Sequence, residues 1–418
     1  MDKDALLAWA GQHADGPVSV TPDYLLSLSS KLLRFRWNGA TTVAVGADAD
    51  GKTRINAVLD AVSLLLAQLE PSESTVHVVL GTSSHGPEDV PRGHLGAIGT
   101  LVDELGGAPE VRVWSLAPGH EPTELAVSAP AFTTGTPAKW CQMLMTAATT
   151  PVLGMAATVA EALSSRPPFA LYPKLSSLKS AEPWQMRLDG LEIGRTGPAG
   201  TTLRLTSTDL TKPREPRVSW LNVVGPDPIH FTQSRLDDLV RLVDQLIAAW
   251  TLIDKSDAVL GHGQAEHALE AHVLSGRLTL DVPAGPLRLA APFRSGTLTA
   301  AQFPTLWGDV TRPARYLDAL LADSLGRPWA VELKDQKAGG GHGAYLRHGI
   351  GQAVLYRHYI RSATELDPWF EHHELARTEC QAALAFPRAT ASTAAVIQRL
   401  RNLAAHWDVE VIEFTRPR

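Results

Sequence analysis

Residues 315–356 constrain the fold more tightly than any other stretch: RYLDALLADSLGRPWAVELKDQKAGGGHGAYLRHGIGQAVLY. A strand is predicted over 314–321, carrying Asp318. Asp323, Ser324 and Gly326 then supply turn chemistry. A second strand is predicted over 329–334, apolar until it ends in Glu332-Leu333-Lys334. A glycine-rich run at 339–343 leads into a helix holding Gln352 and Tyr356. Strand side chains alternate, so Glu332 and Lys334 share one face and Leu333 takes the other. Gln352 and Tyr356, four residues apart, share a helix face. A carboxylate and an ammonium on one face, beside a strand offering Asp318, suit a hard cation and a water. Asp323, set among turn residues, reads as part of the turn rather than as a rival to Asp318.

The order Asp318, hairpin-length gap, Glu332-Leu333-Lys334 resembles the core of the PD-(D/E)xK nucleases. Gln352-Ala-Val-Leu-Tyr356 is similar to the Gln-xxx-Tyr motif of their RecB-like branch. Leu317 stands where that family places a Pro. The resemblance covers the last third of the chain. It implies a restriction-endonuclease-like mixed sheet flanked by helices, and a nuclease cleaving phosphodiester bonds, of DNA rather than RNA. It also implies Mg²⁺ or Mn²⁺ held by Asp318, Glu332 and the Leu333 carbonyl. Lys334 is implied to orient the attacking water, with Gln352 and Tyr356 positioning the lysine or the nucleic-acid backbone. Such proteins often carry a metal-proximal Glu on a helix before the first catalytic strand. Glu270 is the candidate, and Glu266, one turn earlier, the alternative. The non-enzymatic alternative is a regulatory or nucleic-acid-binding protein on a degenerate nuclease fold.

With 418 residues the chain has length for two or three domains. Its 44% hydrophobic and 20% charged composition supports true cores and argues against disorder. A net charge of −6 gives no global attraction for nucleic acid, so any such binding needs a local patch. Residues 307–362 supply a local excess, with eight Lys/Arg against five Asp/Glu. Two cysteines, Cys141 and Cys380, exclude a disulfide framework or a Cys-based zinc site. The N-terminus lacks a signal-peptide pattern and no stretch is apolar enough to span a membrane, so a cytoplasmic location is expected.

Residues 1–125 alternate strands (41–46, 75–81, 111–116) with helices (55–69, 95–105), which predicts a Rossmann-like α/β layer with a sensing or regulatory role. Gly46-Ala-Asp-Ala-Asp-Gly51-Lys52-Thr53 fits a phosphate-loop pattern. However, Asp48 and Asp50 put carboxylates where backbone N–H groups should meet phosphate, and no later strand ends in an Asp for Mg²⁺. The stretch therefore reads as an acidic turn, with a small nucleotide as the ligand of the sensing alternative. Residues 126–230 read as a linker plus a β-rich meander. The third unit, a nuclease-like domain over 231–418, opens with the amphipathic helix at 234–253, capped by Ser234. His262, His267 and His272, five residues apart, fall around a helix rather than on one face and read as surface residues. This layout accommodates a homodimer and a role in bacterial defence.

Overall fold

The computed structural model of the chain describes residues 3–21, 32–48, 55–73, 75–82, 92–106, 109–127, 138, 141–142, 144–145, 152–172, 184–189, 191–204, 223–225, 227–252, 262–274, 276–290, 301–305, 315–335, 342–388 and 394–416. It is a mixed α/β protein with several sheets. Residues 49–53 of the phosphate-loop pattern, 205–222 of the meander and 339–341 of the glycine run lie outside the described residues. No helix among the described residues is long and apolar enough to cross a membrane.

The first sheet comprises β1 (Ser19–Thr21), β2 (Leu32–Trp37), β3 (Ala40–Asp48), β4 (Thr75–Gly81), β5 (Glu110–Leu116) and β6 (Thr123–Leu125), paired in sequence order. Its helices are α1 (Lys3–His13), α2 (Ile55–Ala67) and α3 (Arg92–Asp103). The parallel layer expected from sequence is three strands wide, β3 to β5; the outer pairings are antiparallel. Asn38 and Gly39, both at positive φ, make the two-residue turn between β2 and β3. The order of these strands never reverses, so the described sheet lacks the crevice that a reversal opens for ligands. Helix α2 is strongly apolar because it is covered on both sides; Val58, Leu59, Val62 and Leu65 are fully buried. On the other face of the sheet, α1 packs Leu6, Trp9 and Ala10 against Leu33, Phe35, Ala44 and Val79.

The middle of the chain forms a separate antiparallel sheet: β7 (Phe169–Tyr172), β8 (Trp184–Leu188), β9 (Leu191–Thr196), β10 (Thr201–Leu203) and β11 (Ile229–Phe231). Helix α4 (Met155–Leu163) packs on it, and so does α5 (Leu236–Thr251) through Leu239, Val243, Leu246 and Trp250. The helix expected to open the C-terminal unit at 231 thus completes the middle one, because its stripe finds the apolar face of that sheet. Ser234 does not cap it. A short 3-10 turn, Gln233–Arg235, precedes α5, and the Ser234 hydroxyl lies 3.1 Å from that of Thr232.

The last sheet contains β14 (Arg288–Leu289), β15 (Ala301–Thr305), β16 (Arg315–Ala322), β17 (Pro328–Leu333), β18 (Gln381–Pro387) and β19 (Val409–Phe414). A small hairpin of β12 (Asp281–Val282) and β13 (Gly285–Pro286) precedes it. Strands β16 and β17 are antiparallel; β18 and β19 add in parallel, returning through α7 (His342–Ser362) with α8 (Asp367–His372), and through α9 (Ala394–Ala405). Helix α6 (His262–Leu274) covers the opposite face with Leu269, Val273 and Leu274. His272 on this helix is buried, not at the surface: its Nε2 is 3.3 Å from Asp189 in the β8–β9 turn, where Trp250 Nε1 also donates at 2.5 Å and Arg277 closes the cluster. Helix α6 packs between two sheets, so even a residue off its main apolar stripe is covered.

The first and last sheets share one core. Residues of α2 and α3 form a single apolar cluster with α7, α8, α9 and the α7 face of the last sheet. Buried ion pairs cross the junction. Arg347 Nε and Nη2 donate to Asp60 at 2.5 and 2.9 Å, and Arg357 Nη2 donates to Glu104 at 2.6 Å. The unit expected to stand alone from residue 231 therefore lacks part of its own core. A fragment starting at residue 231 is expected to be unfolded or aggregated while the full chain shows a cooperative transition, checked by circular dichroism and denaturant titration; a cooperative fold in the fragment would refute the shared core.

Candidate functional site

The hairpin that carries Asp318 and Glu332 is locked by its turn. The Asp323 carboxylate accepts the backbone N–H groups of Leu325 and Arg327 at 2.9 and 3.1 Å, Arg327 Nε at 2.7 Å and Trp329 Nε1 at 3.1 Å. Burial pushes that carboxyl up, but these four donors outweigh it and hold it below the usual range. Asp323 is a turn residue, and its donors are all local. The turn sets the register Ala319↔Val331 and Leu320↔Ala330. The ladder ends at Ala319↔Val331, and just beyond it Asp318 lies close enough to Glu332 for its charge to act on that carboxyl. Asp318 Oδ2 accepts the Leu333 N–H at 2.9 Å, which pins the aspartate to the strand end.

Glu332 and Lys334 are 2% and 5% exposed. Lys334 Nζ donates to Glu332 Oε1 at 2.6 Å and lies 3.6 Å from Glu266 Oε1 on α6. Glu332 Oε2, also buried, has no hydrogen-bond partner among the described residues. Burial, and after it the charge of Asp318, pushes the Glu332 carboxyl up to about 8 against the opposing pull of Lys334. For Lys334, burial alone would lower the pKa; Glu332, Glu266 and Asp318 together outweigh it and hold the ammonium charged. Three carboxyl groups thus face one cation, and the most buried of them, Glu332, is the one driven towards its protonated form.

The other sequence candidates sort by position. Helix α7 passes so close that a methyl at Gly349 would lie 3.3 and 3.4 Å from Lys334 Cγ and Cε and 2.8 Å from Leu384 Cδ1. Gln352, one turn on, is buried with Oε1 lacking a partner among the described residues. Tyr356 is buried in the core shared by α7 and the sheets. Of the two α6 carboxylates, Glu266 is the one within ion-pair distance of Lys334, while Glu270 is buried one turn along. Two further residues at this strand end carry no motif. Asp335, fully buried, pairs with Arg416 beyond β19. Of the local cationic excess, Arg327, Arg347 and Arg357 are committed to Asp323, Asp60 and Glu104.

No group of three or more His, Cys, Asp or Glu side chains is gathered closely enough to hold a metal among the described residues. Mg²⁺ needs fewer protein ligands, because it keeps several waters and takes one or two carboxylates. Asp318 and Glu332, close enough to interact and with a buried Glu332 oxygen that lacks a partner among the described residues, fit that demand. No family model, curated protein or solved structure matches this chain.

Two outcomes follow. A carboxyl raised in the folded state contributes stability below its ordinary value, about 4.5, that is lost as pH rises through about 8. Without divalent ions, denaturant midpoints are expected to fall between pH 5 and 8, and Glu332→Gln to flatten that fall; an unchanged slope in the variant would place the cause elsewhere. Gly349→Ala is expected to cost about 1–3 kcal/mol by overpacking, read from the same titrations.

Proposed function

We propose that the chain is a divalent-metal-dependent nuclease, hydrolysing phosphodiester bonds of nucleic acid, DNA before RNA. The observation that carries this reading is the Glu332 carboxylate: nearly inaccessible, short of a donor on Oε2, and crowded by Asp318. A buried group in that state is costly without a counter-charge, and a second cation supplies one. The reading is further supported by the arrangement around the site: an antiparallel hairpin, then parallel strands returned by helices, as the PD-(D/E)xK resemblance implies. On this reading the last sheet is the restriction-endonuclease-like unit, and the first, Rossmann-like unit serves regulation, with a small nucleotide as its ligand.

Asp318 and Glu332 would hold Mg²⁺ or Mn²⁺, with the Leu333 carbonyl beside them. The bound cation supplies Lewis acidity and an acidified water. Lys334, kept charged by its carboxylate neighbours, would orient the attacking water and offset negative charge growing on the phosphate oxygens. Gln352, buried three residues on from Gly349 on α7, would position the lysine or the nucleic-acid backbone, as the resemblance implies.

Calorimetric Mn²⁺ titration and cleavage assays on circular and linear, single- and double-stranded DNA and RNA test the reading. Glu332→Gln is expected to lose most metal affinity. Lys334→Ala is expected to keep metal binding and lose cleavage by roughly 10²–10⁴-fold. Full cleavage by both variants would overturn the assignment. Absence of metal binding in the unaltered chain would favour a regulatory protein on a degenerate nuclease fold, in which the Lys334–Glu332 pair is only structural.

A further inference from the structure

Helix α7 is gripped from two sides with little to cushion it. On one side Gly349 lies against Lys334, within van der Waals reach of Cγ and Cε once a Cβ is built. On the other, a methyl at Gly351 would lie 3.3 Å from both Leu59 Cβ and Ser63 Oγ of α2. Glycine inside a helix costs stability relative to alanine, so two in one turn mark close approach on both faces. Between them and the helix start, Arg347, 1% exposed, donates through Nε and Nη2 to Asp60 on α2 at 2.5 and 2.9 Å. Burial pushes the Asp60 carboxyl up, and Arg347 only partly offsets this. A bidentate pair in so dry a place fixes one register of α2 against α7 and tolerates no neighbouring one.

We propose that Asp60, on the first sheet's helix, is a positioning residue for Lys334. It fixes Arg347, Arg347 fixes the first turns of α7, and Gly349 of α7 bears directly on the lysine side chain. Resting on the nuclease reading above, this makes the first unit one jaw of the active site. Close-packed interiors transmit displacement rather than absorb it, and misplacement by about 1 Å can cost on the order of 10²-fold in rate.

The test separates register from stability. In the full chain, Asp60→Leu with Arg347→Met replaces the pair by apolar side chains, which commonly preserves or raises stability. Val79→Ala, on the opposite face of the first sheet, serves as a destabilising control. Hydrogen exchange of peptides covering 328–335 is read without any substrate, and kcat and KM are read on the nucleic acid that the unaltered chain cleaves. The double variant is expected to melt no lower than the unaltered chain, yet to exchange faster at 328–335 and lose kcat by on the order of tenfold or more with KM little changed. Val79→Ala is expected to leave both readouts unchanged below its melting transition. Unaltered exchange at 328–335 in the stable double variant would overturn the proposal, as would recovery of full kcat together with stability. Failure of the unaltered chain to cleave would instead count against the nuclease reading, and the exchange experiment would still decide the role of Asp60.

Discussion

Helix α7 has no solvent side over much of its length, and most of the architecture follows from that. One face packs on β17 and β18, and the other meets α2 and α3 of the first sheet. A helix in that position must be apolar or small where it touches its neighbours, and its polar residues must find partners inside the protein. Leu346, Ile350, Ala353, Val354 and Leu355 meet the first demand, Arg347 and Arg357 the second. The paired charges add little to stability, because stripping two ions of water costs several kcal/mol or more. Their effect is directional: each pair is satisfied in one register only.

The same economy governs the candidate site. Lys334 is held by carboxylates from its own strand and from α6, and approached by α7 where only glycine fits. Asp318 is tied down by a backbone N–H and Asp323 by four donors, so the hairpin presents a rigid edge. What remains unfinished is Glu332, whose charged form burial and Asp318 disfavour until a further cation is present. On the proposed reading, a bound cation would complete the electrostatics of a site whose geometry is already fixed.

The middle sheet is joined to the rest through Asp189, which gathers Trp250 of its own cluster with His272 and Arg277 from the α6 end of the chain. Burial raises that carboxyl, but His272 and Arg277 outweigh it and keep it ionised. At this junction one buried carboxylate gathers donors from three elements, beside the apolar contact of Ala170 with the α6 cluster.

Local pattern determined a good deal. Strands β3, β4, β5, β16 and β17 and helices α2 and α5 fall close to where periodicity and turn residues put them, because each carries its own local signal. Asp323 could be told from Asp318 by its Ser and Gly neighbours alone, and alternation alone put Glu332 and Lys334 on one face. Strand β2 had a signal as strong in Asn38-Gly39, although nothing else in residues 1–40 points to a hairpin. What no window of sequence holds is which faces meet. Asp60 and Arg347 are 287 residues apart, and Lys334 and Glu266 68, so neither pairing has a local signature. The stripe on α5 fits the middle sheet as well in pattern as the last one, and His272 looks exposed until a second sheet covers it. Those choices belong to tertiary packing, where long-range burial decides between partners that local pattern leaves equal.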